Sequence, residues 1–224
     1  MQDRDYWNVT PKEAVAVQER LRDRVSLEDN FGRIETVAGA DVAIGRGWKE
    51  AKCAVVVLSF PGLEVVEART HTAEVTFPYV PGLLAFRELP IFLQTYEMLH
   101  LKPDLLFFDG HGCAHPRRFG LACFAGILLD KPAVGCAKSK LIGNYDEPPV
   151  ESGSVSVLVT NDGDRVGDVV RTKTGVKPVF ISPGHRISFE SATQFALRCT
   201  RGYRIPEPTR QAHILVSRPT SFHC

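Results

Sequence analysis

Two aspartates stand where apolar runs give way to a turn. Asp41 lies in Val37-Ala38-Gly39-Ala40-Asp41-Val42, and Asp109 in Leu105-Leu106-Phe107-Phe108-Asp109-Gly110-His111-Gly112. Four apolar residues before Asp109 read as a buried strand. A carboxylate at its end has left water and needs a hydrogen bond, a cation or a metal. Gly110 and Gly112 let the backbone turn sharply and approach a ligand; the competing reading makes Asp109 the cap of the helix that follows. A third acid, Glu88 in Phe86-Arg87-Glu88-Leu89-Pro90, sits on the first turns of a helix between them. If the strand of Asp41 is central and the strand ending at Asp109 pairs beside it, the three carboxylates meet. They then raise one another's pKa unless a cation holds them. Oxygen-only ligation points to Mg²⁺, with Mn²⁺ as a substitute, rather than zinc. Such a centre activates water and clamps the oxygens of an in-line phosphoryl displacement.

Other metal chemistry is disfavoured. The six cysteines form no CxxC pair and read as reduced thiols, buried except for an exposed Cys224. His111 and His115 have the spacing of a helical zinc pair, but Gly112 and Pro116 oppose a helix there.

The elements that must position these acids can be read in order. Pro11 with Thr10 as cap, and Ala14, Val17, Leu21 and Val25 at helical spacing, predict a helix over 11–26. Strands are expected at 36–44, 51–60 and 64–75, joined by Gly45-Arg46-Gly47-Trp48 and by Pro61-Gly62, short connections that make antiparallel neighbours. Two prolines in Phe77-Pro78-Tyr79-Val80-Pro81-Gly82 stop both helix and ladder. A helix over about 83–100 follows, kinked or split by Pro90. Then come the strand 104–109, a helix over about 117–130 and a strand at 132–136. A surface loop is expected at 144–153, followed by strands near 155–160, 166–171 and 177–182. A helix over 187–201 and a proline-rich tail over 205–224 complete the chain. Three antiparallel strands followed by alternating helix and strand give an α/β fold, a mixed sheet with helices on both faces.

At 224 residues, with 44% hydrophobic and 24% charged residues, the chain suits one globular domain. It has no apolar run of about 18 residues and no signal-peptide layout at Met1-Gln2-Asp3-Arg4-Asp5. A cytoplasmic protein without a membrane partner, acting as a monomer, is expected. The net charge is only +1, yet residues 165–224 hold ten Lys and Arg against three acids. A basic last third facing an acidic remainder suits a polyanion held over an acidic metal centre; the alternative is a solvated basic face with no partner.

Several short segments occur in a telling order. They are Gly39-Ala40-Asp41-Val42, Pro78-Tyr79-Val80-Pro81-Gly82, Phe86-Arg87-Glu88, Asp109-Gly110-His111-Gly112 with His115-Pro116-Arg117-Arg118, Gly135 to Lys138, Gly184-His185-Arg186, and Tyr203 to Arg210. Each is weak alone. The ordered set, spanning about residues 37–210, closely resembles the endonuclease V family, nucleases acting on deaminated adenine in nucleic acid, and the element order resembles the ribonuclease H-like fold.

The resemblance implies that Asp41, Glu88 and Asp109 are catalytic metal ligands, with Lys138 near the scissile phosphate and His213 at a position near the metals. It makes Tyr79 a wedge that enters the duplex as the damaged base leaves the stack, with Val80 where the family usually carries isoleucine. Gly82, Leu84 and Gly110 resemble the lining of the base pocket, and His115 is expected to meet phosphate or to order its loop. The implied activity is hydrolysis of the second phosphodiester 3′ to deoxyinosine by metal-activated water, leaving 3′-hydroxyl and 5′-phosphate ends. Its rivals are an inosine-specific endoribonuclease with the same site and a nucleic-acid-binding module that cuts nothing. The wedge reading has a direct test. Tyr79→Ala should reduce discrimination for inosine over adenine by about 1–3 kcal/mol, the worth of one aromatic–base stack, with little loss of general affinity. Unchanged discrimination in a filter-binding comparison of the two duplexes makes Tyr79 a packing residue.

Overall fold

The computed structural model describes residues 6–45 and 49–218. Helix α1 (Pro11–Arg22) starts with a capping box, Glu13 N donating to Thr10 Oγ1 and Thr10 N to Glu13 Oε2. It ends four residues before the expected 26. Strands β1 (Thr36–Ile44), β2 (Glu50–Ser59) and β3 (Val65–Glu74) form the antiparallel triple. Of the expected first connection, residues 46–48 lie outside the described residues, as does Cys224. The other five cysteines are buried and unpaired.

Helix α2 (Leu84–Glu97) is continuous, so Pro90 does not split it. Then come β4 (Leu105–Phe108), α3 (Leu121–Leu129) and β5 (Ala133–Ala137). The expected start of α3 at 117 was four residues early. Arg118 adopts a left-handed φ of 55°, and Gly120 N bonds to Gly112 O, so the chain turns before it coils. Strands β6 (Val155–Val159), β7 (Arg165–Val170) and β8 (Val179–His185) and helix α4 (Phe189–Arg198) follow. The expected proline-rich tail is instead helix α5 (Glu207–Val216). Pro206 precedes it and Pro208 falls in its first turn, where an N–H has no helical partner to lose.

The eight strands form one sheet in the order β3-β2-β1-β4-β5-β8-β7-β6. The β1–β4 and β4–β5 pairs are parallel, and the far edge returns to antiparallel pairing. Alternate residues divide between the faces. Ala38, Ala40, Leu106 and Phe108 pack in a core with α1, α2 and α3, while Val37, Leu105 and Phe107 pack in a second core with α4 and α5. Both faces of β4 are buried, which is why its sequence runs apolar without alternation. Helix α5 settles on β1 at one place. A Cβ at Gly39 would lie 2.0 Å from the carbonyl carbon of Pro208 and 2.5 Å from Thr209 N. Backbone cannot rotate out of the way as a side chain can. Gly39→Ala should therefore cost about 1–3 kcal/mol of stability, the range for overpacking, read as a lowered midpoint in denaturant melts. A midpoint equal to the parent's would mean that α5 shifts freely on the sheet.

Candidate active site

The parallel register of β1 and β4 ends with Ala40 opposite Phe108. Asp41 and Asp109 are each the next residue, so the two chains deliver their carboxylates side by side at the same sheet end. Helix α2 packs against β1, β2 and β3 and adds Glu88 one turn from its start. Asp41, Glu88 and Asp109 together line a void of about 10 Å³, closed below by Phe92, Phe108 and Leu121. That is room for a single water-sized body.

The electrostatics follow from this crowding. Burial pushes the Glu88 carboxyl up to about 8, and the charges of Asp41 and Asp109 push the same way. Asp41, only 13% exposed in its side chain, is raised mainly by burial, with Asp109 adding and His213 and Lys138 offsetting. Two basic side chains meet the acids directly. Lys138, just past β5, donates through Nζ to Asp109 Oδ2. His213, on α5, places Nδ1 2.7 Å from Asp41 Oδ2, while Val42 N donates to Asp41 Oδ1 at 2.9 Å. Among the described residues no three His, Cys, Asp or Glu side chains are arranged as a finished metal cage. In this arrangement Asp41 turns to His213 and Asp109 to Lys138. The donor set still fits a hard divalent cation: three carboxylates surround an ion-sized void, and one of them ionises poorly without added positive charge.

Beside the carboxylates lies a cavity of about 290 Å³, near the lower end for small-ligand sites. Tyr79, Gly82, Leu84 and His115 line it, as does Leu121, which also borders the carboxylate void. Tyr79 is 63% exposed at its rim. Gly110 is buried against Leu121 and lies outside the lining, where its neighbour His111 stands instead. Sequence reasoning missed His111, Ser139 and Gln18 as lining residues. His111 Nε2 lies 3.1 Å from Ser139 O, and burial lowers the pKa of the ring.

Gln18 carried a readable signal, an amide on the apolar stripe Ala14, Val17, Leu21. Its side chain is 1% exposed and belongs to a lock on the Tyr79 loop. The Gly82 carbonyl accepts from Gln18 Nε2 at 3.1 Å, His115 Nε2 at 2.9 Å and Arg117 Nη2 at 2.7 Å. Arg117 Nε in turn donates to Gln18 Oε1 at 2.6 Å, and Gln18 Nε2 to Phe119 O at 3.0 Å. Gly82 has φ +78°, and a Cβ there would meet Arg117 Nη2 at 2.9 Å. His115 Nδ1 accepts from Arg117 N at 3.2 Å, so the proton sits on Nε2. Burial, then the Arg117 charge, lower its pKa to about 4, which keeps the ring neutral. With both nitrogens engaged and 4% exposure, His115 orders the loop and has no group left for a phosphate.

The basic last third is also spent differently from expectation. Six of its ten cations make internal ties: Arg165 to Asp168 and Glu190, Arg171 to Glu147, Arg186 to Asp130, Arg201 to Glu64, Arg210 to Glu207, and Arg204 to backbone carbonyls.

Known proteins share this arrangement. A family model described as Endonuclease V matches residues 19–214. An endonuclease V of Gloeobacter violaceus is 49% identical over 210 residues, covering 92% of this chain and 85% of that protein. The crystal structure of endonuclease V from Streptomyces avermitilis superposes with a TM-score of 0.89 at 44% identity, covering 94% of this chain and 92% of that one. Endonuclease V of Ciona intestinalis in complex with a 24mer DNA containing an inosine followed by a ribo-adenosine superposes with a TM-score of 0.81 at 28% identity, covering 92% and 95%. The ribonuclease H-like fold expected from the element order is borne out by these likenesses.

The crowding at Glu88 predicts a pH dependence with a definite sign. The folded carboxyl ionises near pH 8, against about 4.3 in an unfolded chain. Between those values the folded state keeps a proton that the unfolded state has released, so this group's contribution to stability falls as pH rises. With divalent ions chelated, Glu88→Gln should gain on the parent by more than about 1 kcal/mol between roughly pH 5 and 8 in denaturant melts. Added Mg²⁺ should narrow the gap. A gap constant across that range would show that Glu88 is an ordinary, solvated carboxylate.

Proposed function

The chain belongs to the endonuclease V family, and on that footing we propose that it is a DNA repair endonuclease directed at deoxyinosine. It cuts the second phosphodiester on the 3′ side of the lesion. The observation that carries the reading is the junction of two cavities: three carboxylates around an ion-sized void, sharing Leu121 with a roomier pocket under an exposed tyrosine. Phosphoryl chemistry and base recognition are thereby one residue's width apart. The Ciona relative, crystallised with inosine-containing DNA, supports the same substrate class.

Asp41, Glu88 and Asp109 would hold Mg²⁺, or Mn²⁺ in its place. Bound there, the cation supplies an activated water and neutralises charge on the scissile phosphate. The chain's own groups do the rest. The Lys138 ammonium, fixed at Asp109, stands where negative charge develops on the phosphate oxygens. His213 holds the orientation of Asp41 and can supplement the ligand set. Tyr79 takes the place of the departing base in the stack, recovering part of the few kcal/mol that flipping costs. Gly82, pinned by three donors, keeps that loop and the pocket wall from moving, so little ordering entropy is lost on binding. Water adds to phosphorus, the bond to the 3′ oxygen breaks, and that oxygen leaves as a hydroxyl opposite a 5′-phosphate. The protein acts as a monomeric catalytic domain. A cytoplasmic setting fits five buried, unpaired thiols, and among the described residues no helix is long and apolar enough to cross a membrane.

A second reading, an inosine-directed ribonuclease with the same residues, is favoured by one observation: the strand bound by the Ciona relative carries a ribose immediately after the inosine. The 2′-hydroxyl is what distinguishes the two substrates. An in-line attack on phosphorus does not require it, so deoxyinosine strands should be cut without any ribose, and inosine RNA more slowly. The deciding assay compares matched single strands carrying one deoxyinosine or one inosine, with Mg²⁺ and with chelator, for the parent and Asp109→Asn. Cutting should fall to background in chelator and in Asp109→Asn, while strand binding persists. Near-normal rates for Asp109→Asn would remove the metal assignment. Cutting of RNA with none of DNA would transfer the protein to the second reading.

A further inference from the structure

The geometry points to a second aromatic contact with the strand: we propose that Tyr203 is a stacking platform for a base flanking the cut bond. The inference rests on the nuclease reading above. It extends that reading to a residue outside the carboxylate site and outside the pocket.

Tyr203 is 51% exposed, so part of its ring is open to a partner from outside. Its placement ties it to the catalytic centre from two directions. Its chain neighbour Arg204 donates through Nη2 to Lys138 O at 2.6 Å, and Lys138 is the residue that meets Asp109. The Arg210 guanidinium lies 4.1 Å from the centre of the Tyr203 ring. Arg210 is three residues before His213 on α5, hence on the same helix face, and His213 meets Asp41. The ring is thus linked to the Lys138 backbone through Arg204, and through Arg210 to the face of α5 that carries His213.

The ring is also held still. Arg210 is fixed by a two-pronged pair with Glu207, Nε and Nη2 each 2.8 Å from a carboxylate oxygen. Glu207 is 4% exposed and its N–H bonds to Cys199 O at 2.7 Å. Two linked side chains, Arg210 and Glu207, thus brace a solvent-facing aromatic that already bears a cation on one face. Such a braced ring, linked to a phosphodiester-cutting centre, has the form of a sequence-tolerant base platform. Arg204 fits the same design, since its guanidinium is occupied by the carbonyls of Lys138, Lys177 and Pro178 and serves to fix the segment.

The test uses the full chain carrying Asp109→Asn, so that strands are not cut, and single strands with one deoxyinosine. 2-Aminopurine, whose fluorescence is quenched by stacking, replaces in turn each of the two bases on either side of the bond cut by the parent. The expected result is quenching at one of these positions on binding, retained by Tyr203→Phe and abolished by Tyr203→Ala. Affinity should fall by about 10-fold in Tyr203→Ala. Tyr203→Leu, which keeps apolar bulk over Arg210, should behave as Tyr203→Ala does; a merely structural ring would be rescued by it. Unchanged quenching and affinity in both aliphatic variants would overturn the platform. If the Asp109→Asn chain with Tyr203 intact binds no inosine strand at all, the nuclease reading fails and the platform with it.

Discussion

Three carboxylates gathered at one sheet end repel one another, and that repulsion shapes what surrounds them. Parallel strands place Asp41 and Asp109 in adjacent positions because the register stops at Ala40 and Phe108. Phe108 and Gly110 are buried on either side of Asp109, as is Ala40 before Asp41, which limits where the carboxylates can turn. The chain responds with Lys138 from the next parallel strand and His213 from the last helix. Among the described residues no ion pair reaches Glu88; burial holds its carboxyl up at about 8, and a cation is the one species that would relieve all three acids at once. The destabilisation stored in the folded chain is thus the affinity the site offers to a divalent ion.

The same constraint explains the close seating of α5. His213 reaches Asp41 only if α5 lies directly on β1, and a side chain at position 39 would hold the helix away. Gly39, two residues before the acid, is therefore part of the site without touching it. Helix α1 acts at a comparable remove. Through Gln18 it fixes a carbonyl at the base of the Tyr79 loop, and Arg117 completes the ring of donors from the far side. The two terminal helices hold opposite ends of the site, one the acids and the other the Tyr79 loop.

Much of this could be read from residue types and order. Asp109 after its buried strand and before glycine, the Pro-rich stop before Glu88 and the antiparallel triple were legible because each rests on local physics: burial next to a carboxylate, a fixed proline φ, a short connection. Asp41 reads as a strand end in a turn but lies inside β1, whose pairing with β2 carries on to Ile44. What escaped was set by contacts distant in sequence. Pro206 and Pro208 look like a tail until the first turn of a helix is packed on β1, since local preference cannot reveal that tertiary support. His115 reads as a phosphate contact or an organiser of its loop until its burial and the Gly82 carbonyl, 33 residues away, make it a neutral donor that orders the loop. Gln18 and Arg117 are 99 residues apart, and no spacing rule joins them. The surplus of cations after residue 165 was visible, but its use was not: charge counts cannot distinguish an arginine facing a strand from one bound to Asp168 inside the fold.

That last distinction bears on how the protein holds its substrate. A nuclease that relied on a broad basic face would gain affinity chiefly from phosphates and lose it steeply in salt. Here Arg165, Arg171, Arg186 and Arg201 are engaged with acids of the same chain, and their net field at the surface is correspondingly reduced. On the function proposed above, affinity then comes more from local contacts: an exposed tyrosine on a loop anchored at the Gly82 carbonyl, the pocket beside it, and one lysine at the acids. Contacts of that kind would discriminate, because they would be satisfied only when a base has left the stack and reached the pocket. The internal use of arginine and the rigidity of the Tyr79 loop are in this sense one design, which exchanges indiscriminate attraction for selection of a base that can be turned out.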